Sequence, residues 1–227
     1  MAHLAIVVPV LSDYDALRVL LADIPPRADV ELIVVDGGSD ARLAELLAGR
    51  ANVRLIRTSP GRAIQMNAGA QASDAEILLF LHADSRLPGG WDAALRALPV
   101  TSVGGWFRFA LDDDAWQARA IERGVAWRVR VLRLPFGDQG IFVRRSTFVR
   151  LGGFAAWPLM EDVEFVRRLI RAGDVVEIPL PLRTSARRWR RDGWFSRSVR
   201  NVALVSLYFA GVSPVRLARW YGGAHPS

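Results

Sequence analysis

Four short apolar runs, each separated from the next by a helix-like stretch, fill the first 81 residues. His3-Leu-Ala-Ile-Val-Val-Pro-Val-Leu11 and Glu31-Leu-Ile-Val-Val35 are near-continuous, the pattern of strands buried on both faces. Val53–Arg57 and Glu76–Leu81 read as two more strands. Between them, Leu17, Leu20, Leu21 and Ile24 recur at helical spacing within Asp13–Ile24 until Pro25-Pro26 ends the run. Ala41–Ala48 and Arg62–Gln71 read as the next helices, the first entered through the turn and cap sequence Asp36-Gly-Gly-Ser-Asp40. A βαβαβαβ order with short loops predicts an α/β fold, with a mostly parallel, doubly wound sheet and helices on both faces.

The remainder is less regular. Val103–Leu111 reads as a strand, Trp116–Leu132 as a long helix, Gly140–Arg144 as a strand and Glu161–Arg171 as a helix closed by Gly173. A short strand is expected at Val175–Ile178, a basic strand or loop at Thr184–Arg191, a helix over Phe195–Ala210 and a last helix from Pro214. No repeat or low-complexity linker interrupts the chain. The expected organisation is one domain over 1–192 and a helical extension over 193–227, packed on the domain, on a partner or on a membrane surface.

Composition excludes several classes of function. A chain of 227 residues with 51% hydrophobic and 23% charged residues is neither disordered nor fibrous. It has no Cys, which removes disulfides, thiolate metal sites and a cysteine nucleophile, and three His are too few for a multi-histidine centre. Met1 to Leu4 carries no basic leader region, and no apolar stretch reaches the about 18 residues needed to span a bilayer. A cytoplasmic location is therefore expected, with room for peripheral contact at the inner membrane face. The net charge of +7 is unevenly spread. Residues 1–117 hold 10 Arg against 15 acids, a net of −5, whereas residues 118–227 hold 20 Arg against 8 acids, a net of +12. Nucleic acid, an anionic membrane or a phosphorylated small molecule would each suit the basic half.

Polar residues fall where an open α/β sheet binds ligands, at the carboxyl ends of its strands. The second strand ends at Asp36, the fourth at His82-Ala83-Asp84, and the third leads into Gly61-Arg62 at a helix N-terminus. Taken singly, Asp36 is a turn former, Asp84 a helix cap and His82 a core residue. Arg62 opposes the helix dipole, a conflict that a bound phosphate would relieve. A second constellation is Met160-Glu161-Asp162-Val163-Glu164-Phe165. Helical spacing groups Asp162 with the inward stripe Phe165, Val166 and Leu169, and Glu161 with the outward Glu164 and Arg168. Asp162 is then a first-turn cap or a working acid, and the preceding Gly152–Pro158 reads as a mobile aromatic loop beside a site.

The ordered set "VVPVL", "VVDGGSDA", "GRAIQMNAGA", "LLFLHADSRLP", "GDQGIFVRR", "LGGF" and "MEDVEFVRRLIRAG" spans residues 4 to 173. Together these motifs resemble family-2 glycosyltransferases of the GT-A (Rossmann-like) fold. The wording is most similar to a bacterial subgroup of small stand-alone transferases labelled as associated with radical-SAM or selenium proteins, or with arsenosugar biosynthesis. The resemblance implies that Pro9, Asp36, Arg62, Asn67, His82, Arg187 and Arg188 surround a nucleotide-sugar donor. Asp36 would meet the base, and Arg62 and Asn67 would lie by the diphosphate. Asp84 would match the metal-binding end of the family's Asp-x-Asp motif, holding Mg²⁺ or Mn²⁺. Asp162, in the Glu161-Asp162 pair, would match the catalytic base. The sequence departs from the pattern at His82, which stands where the first Asp is usual.

These parts imply an inverting, metal-dependent transfer to a hydroxyl of a small-molecule or lipid-linked acceptor. A sugar-1-phosphate nucleotidyltransferase is the alternative, but it calls for a Gly-rich basic loop where this chain has Val10-Leu-Ser-Asp-Tyr. A non-enzymatic module binding nucleic acid or membrane would explain the Arg excess and not the carboxylates, so no nucleic-acid partner is expected. Arg187 and Arg188 are expected to close over the donor diphosphate or to form a solvated charge run. The helix around Val202 to Val212 would lie on anionic lipid, pack on the domain or join a homodimer.

Overall fold

The computed structural model describes residues 3–222. The first half follows the expected order closely: β1 (Leu4–Val10), α1 (Tyr14–Leu20, prolonged by a 3-10 turn to Asp23), β2 (Val30–Asp36), α2 (Arg42–Leu47), β3 (Val53–Arg57), α3 (Arg62–Gln71) and β4 (Ile77–Phe80). A two-residue strand β5 (Ser85–Arg86) and α4 (Trp91–Arg96) complete it. The second half comprises β6 (Ser102–Leu111), α5 (Trp116–Leu132), β7 (Phe142–Arg144), α6 (Arg145–Arg150), α7 (Glu161–Ala172), β8 (Asp174–Thr184), α8 (Arg187–Asp192), α9 (Trp194–Phe209) and α10 (Pro214–Gly222).

All eight strands form one sheet in the order β3-β2-β1-β4-β7-β6-β8-β5. The β3-β2-β1-β4 half is parallel throughout. β7 then pairs antiparallel with both β4 and β6, so the parallel regime ends at that seam. Period-two alternation assigns the core. Leu4, Ile6, Val8 and Val10 of β1 pack with Leu17, Leu20, Leu43, Trp91 and Leu95 of α1, α2 and α4. Ala5 and Val7 point the other way, toward Ala63, Met66, Phe165 and Leu169 of α3 and α7. Helices cover both faces, which is why these strands tolerate no polar face.

Two expectations for the second half are corrected. The short strand at 175–178 is the start of an eleven-residue strand, β8, paired with β6 along its length. Pro179 and Pro181 fall where the register jumps from Phe107↔Ile178 to Arg108↔Pro181, a bulge that accommodates residues unable to donate to a ladder. The basic segment expected to be strand or loop contains a helix, α8, anchored by the buried Trp189 against Phe109 and Ala186. Farther on, Leu204 and Val205 of α9 and Leu217 of α10 pack with Leu134, Met160 and Val163. Residues 223–227 of the expected helical extension lie outside the described residues. No helix among the described residues is long and apolar enough to cross a membrane.

Candidate active site

Strands β1 and β4 run side by side and in the same direction, so the segments that leave their carboxyl ends open onto one cleft. Its lining includes Pro9, Leu11, Asp13, Arg62, His82, Asp84 and Arg188, with a volume of about 310 Å³. Each group arrives for a local reason. Asp84 follows β4 and is not a helix cap, because α4 begins seven residues later at Trp91 behind Gly90. Arg188 comes from the far end of the sheet. β5 pairs antiparallel with the end of β8, and the Ser185 N–H donates to the Asp84 carbonyl at 3.2 Å, which sets the start of α8 beside the cleft. Arg187 does not line the cleft.

Asp36 ends β2 with its side chain 1% exposed. Its Oδ1 accepts the N–H groups of Gly38 (2.8 Å) and Ser39 (3.1 Å), so it does form the turn. Its Oδ2 is buried without a hydrogen-bond partner, an orphaned acceptor. Asn67 departs from expectation. Both halves of its amide bond the backbone of Phe154, Nδ2 to the carbonyl at 2.8 Å and Oδ1 from the N–H at 2.9 Å. That leaves its side chain as a clamp between α3 and the loop before α7, and it is not among the lining residues of the cleft. The loop expected to be a mobile border is pinned there too. Phe154 is buried, with its ring 4.4 Å from Phe165 and 4.9 Å from Phe80.

The first turn of α7 corrects the helical-wheel reading. Glu161, expected on the wet face, is 2% exposed and ion-paired with Arg62 at 3.2 Å. Glu161 stands four residues before Phe165 and eight before Leu169 in the same helix, so it borders the buried stripe and faces Arg62 of α3 rather than water. Glu161, and not a bound phosphate alone, therefore answers the Arg62 charge. Burial raises the Glu161 carboxyl above its ordinary value, Arg62 works against that shift, and the neighbouring Asp162 adds to it. Asp162 is half-buried. Its Oδ2 accepts the Gly137 N–H at 2.7 Å and its Oδ1 accepts the Val163 N–H at 2.8 Å, which fixes the carboxylate plane.

Gly137 is the partition of this corner. A Cβ on it would lie 3.0 Å from Asp162 Oδ2 and 3.3 Å from His82 Nε2, so the absence of a side chain lets acid and imidazole approach the same space. Gly137→Ala is expected to displace Asp162. Turnover should fall roughly tenfold or more through misplacement alone, with the melting temperature little changed. Steady-state kinetics beside a thermal melt checks this.

Sequence reading missed three residues here. Asp13 lines the cleft, its carboxyl raised by partial burial, with Arg188 lowering it and Asp84 raising it. Arg128 of α5 sits over the Phe136 ring at 3.5 Å. Asp138 has a buried Oδ1 with no hydrogen-bond partner, and burial pushes its carboxyl up to about 6, with Arg128 opposing and Asp162 and Asp84 adding. The "GDQ" triplet was the available signal for Asp138, since it stood inside a quoted motif without a role. A carboxyl that titrates near 6 when folded and near 3.8 otherwise holds a proton the unfolded chain has lost. Stability therefore falls as pH rises between those values. Asp138→Asn should melt higher than the wild type at pH 8 in EDTA, with the gap closing toward pH 4 in a differential scanning measurement.

Burial, with help from the charges of Arg62 and Arg188, holds His82 well below its ordinary range, so the imidazole is neutral at neutral pH. Asp13 and Asp84 line the cleft beside it with Arg62 and Arg188, and Glu161, Asp162 and Asp138 lie close enough to Arg62 to favour its charge. Among the described residues, no group of three His, Asp or Glu side chains closes on one point as a complete metal cage.

The family model "Glycosyl transferase family 2" matches residues 5–98, the parallel half of the sheet and its helices. A comparison with curated proteins finds no match in sequence. Among solved structures, the chain is similar to the mannosyltransferase PcManGT from Pyrobaculum calidifontis in complex with GDP-Man and Mn2+. The TM-score is 0.61 at 18% identity, over 98% of this chain and 79% of that one. It is also similar to S. aureus TarS 1-349 in complex with UDP-GlcNAc, with a TM-score of 0.61 at 12% identity, over 82% of this chain and 58% of that one. Both likenesses are of fold, and the fold is the GT-A arrangement expected from the sequence. The match over residues 5–98, continued by a sheet of the GT-A arrangement whose strand ends open on this cleft, makes the parallel half of the chain similar to family 2 glycosyltransferases and its fold similar to theirs throughout.

Proposed function

We propose that the chain is an inverting, divalent-metal-dependent glycosyltransferase that moves a sugar from a nucleotide-sugar donor to an acceptor hydroxyl. The carrying observation is the charge balance of the cleft. Asp13 and Asp84 share the cleft with Arg62 and Arg188, and Arg62 is already paired with Glu161, so a diphosphate there meets too little positive charge and a cation beside Asp84 supplies it. The residues fit such a cation. Asp84 offers a hard oxygen ligand at a strand end, and the missing protein ligands are those a diphosphate and water supply to Mg²⁺ or Mn²⁺. When bound, the metal offsets the charge that develops on the leaving diphosphate.

The chain's own residues supply the rest. Asp36, whose buried Oδ2 has no hydrogen-bond partner, is assigned to the base, and Pro9, in the cleft lining, to the nucleoside. Arg62, held by Glu161, and Arg188 flank the diphosphate. Neutral His82 offers one donor and one acceptor to the ribose or sugar without adding charge. Asp162 accepts the proton from the acceptor hydroxyl as that oxygen attacks the anomeric carbon and the bond to the diphosphate breaks. A single displacement inverts the configuration, and no carboxylate is assigned as a covalent nucleophile. We read 1–192 as the catalytic domain and 193–227 as an extension of it. The quoted motifs support membership of the small stand-alone subgroup, and peripheral membrane contact through α9 remains part of this reading.

A thermal-shift screen of UDP-, GDP-, ADP- and dTDP-sugars with and without Mn²⁺ tests the reading. One donor should raise the melting temperature only with the cation, and no shift from any donor would overturn the proposal. Arg188→Ala should raise the donor KM about tenfold or more, the scale of one lost charge-assisted contact. Arg187→Ala should change it little, and equal effects would show that the two share the task.

A further inference from the structure

Helices α5 and α9 run side by side with an open groove of about 460 Å³ between them. It is walled by apolar side chains, among them Ile121, Trp127, Leu132, Phe195, Val202 and Phe209. Several are more exposed than their chemistry favours: Trp127 61%, Leu132 57%, Val202 56%. Trp116 and Phe195, rings 6.0 Å apart, stand at the end where the two helices begin. The other end is closed by Leu134 and Phe136. Arg128 is the one charged residue among the described residues lining the groove, and it lies against Phe136.

Two facts give the groove a purpose. The first is continuity. The residue after Phe136 is Gly137, whose N–H holds Asp162, so the inner end of the groove is one residue from the proposed base. The second is Gly124, in the middle of α5. A Gly there costs about 0.5–1 kcal/mol relative to Ala. Its backbone is not left-handed, and a Cβ built on it meets nothing within 4 Å, so neither conformation nor crowding requires it. What its absent side chain does is keep the groove open.

We infer that the groove holds the hydrocarbon tail of the acceptor, an anionic lipid whose head group carries the hydroxyl that is glycosylated. A concave channel suits one chain rather than a bilayer plane, and Arg128 stands where the anionic head would emerge toward Asp162. The +12 balance of residues 118–227, the half that contains both helices, favours an anion over a neutral head. The inference rests on the glycosyltransferase reading for its acceptor role, but the tail site is measurable without turnover.

The test is calorimetric titration of the full chain with decyl phosphate, butyl phosphate and decyl glucoside below their micellar concentrations. Decyl phosphate should bind roughly a hundredfold or more tighter than butyl phosphate, since each buried methylene tightens binding about fourfold. Decyl glucoside should bind more weakly than decyl phosphate. Gly124→Phe plugs the groove from a position with free space and better helix propensity. It should lose at least tenfold in decyl phosphate affinity while keeping its melting temperature and its Mn²⁺-dependent donor shift. No dependence on chain length, or equal affinity in Gly124→Phe, overturns the inference. So do dimers by light scattering that Gly124→Phe dissolves without any alkyl binding, which would give the groove to a second copy. Binding only to anionic vesicles, and never to the single-chain probe, would give it to a membrane surface. If decyl phosphate binds as expected and no nucleotide sugar does, the tail site stands and the glycosyltransferase reading falls.

Discussion

Asp84→Ala abolishes transfer and the Mn²⁺-dependent thermal shift with donor, while the protein still melts as one cooperative unit. The expectation follows from where the side chain sits. Asp84 is half-exposed in the cleft, and its carboxylate has no hydrogen bond or ion pair among the described residues, so its removal orphans no buried partner there. What disappears is the hard oxygen ligand at the end of β4. The donor diphosphate then meets the remaining carboxylates without a cation between them. Activity in the variant near that of the wild type, or wild-type activity unaffected by EDTA, would refute the metal assignment.

Asp162→Asn and Glu161→Gln fail in different ways. In Asp162→Asn the amide cannot take the acceptor proton, so kcat falls roughly a hundredfold or more with donor affinity preserved. The Gly137 N–H still finds an acceptor in the amide oxygen, which limits the structural damage. Glu161→Gln instead removes the buried charge that holds Arg62. Arg62 is 40% exposed, so it can swing toward water, and the loss appears as a raised donor KM and a lower melting temperature. A kcat effect larger in Glu161→Gln than in Asp162→Asn would exchange the two roles.

The first half was legible because each strand there is buried on both faces and each helix is bounded by a breaker or a turn. Periodicity and punctuation agree from Leu4 to Phe80, and the observed boundaries move by only a residue or two except in α1. Arg62, His82 and Asp84 come to one cleft because parallel strands bring their carboxyl ends to one edge, whereas Asp36 is buried in its own turn and is not among the residues lining it. The second half hid its structure for identifiable reasons. Pro179 and Pro181 look like terminators and are in fact absorbed by a bulge. Glu161 looked solvated when grouped with Glu164 and Arg168, but it also stands one turn before the buried Phe165 and finds its partner, Arg62, on another helix. Asp138 and Arg128 meet Asp162 only through the tertiary fold, because no local period links positions 128, 138 and 162. Asn67 shows the reverse error, where a plausible neighbour of the diphosphate has its amide already engaged by Phe154.

The seam at β4 and β7, where parallel pairing gives way to antiparallel, divides labour as well as geometry. Before it lie Pro9, Asp36, Arg62, His82 and Asp84, which together with Arg188 from beyond it are the residues assigned to the donor. Across it lie Asp162 and the groove of α5 and α9, the parts assigned to the acceptor. The halves are joined by the three-residue β4–β7 ladder, the β5–β8 pairing, the Asn67 clamp, the Arg62–Glu161 pair and a shared core in which Ala5 and Val7 meet Phe165 and Leu169. On the proposed assignments, a chimera that takes residues through Asp84 from one such chain and the remainder from another, with these contacts kept, is expected to inherit one specificity from each parent.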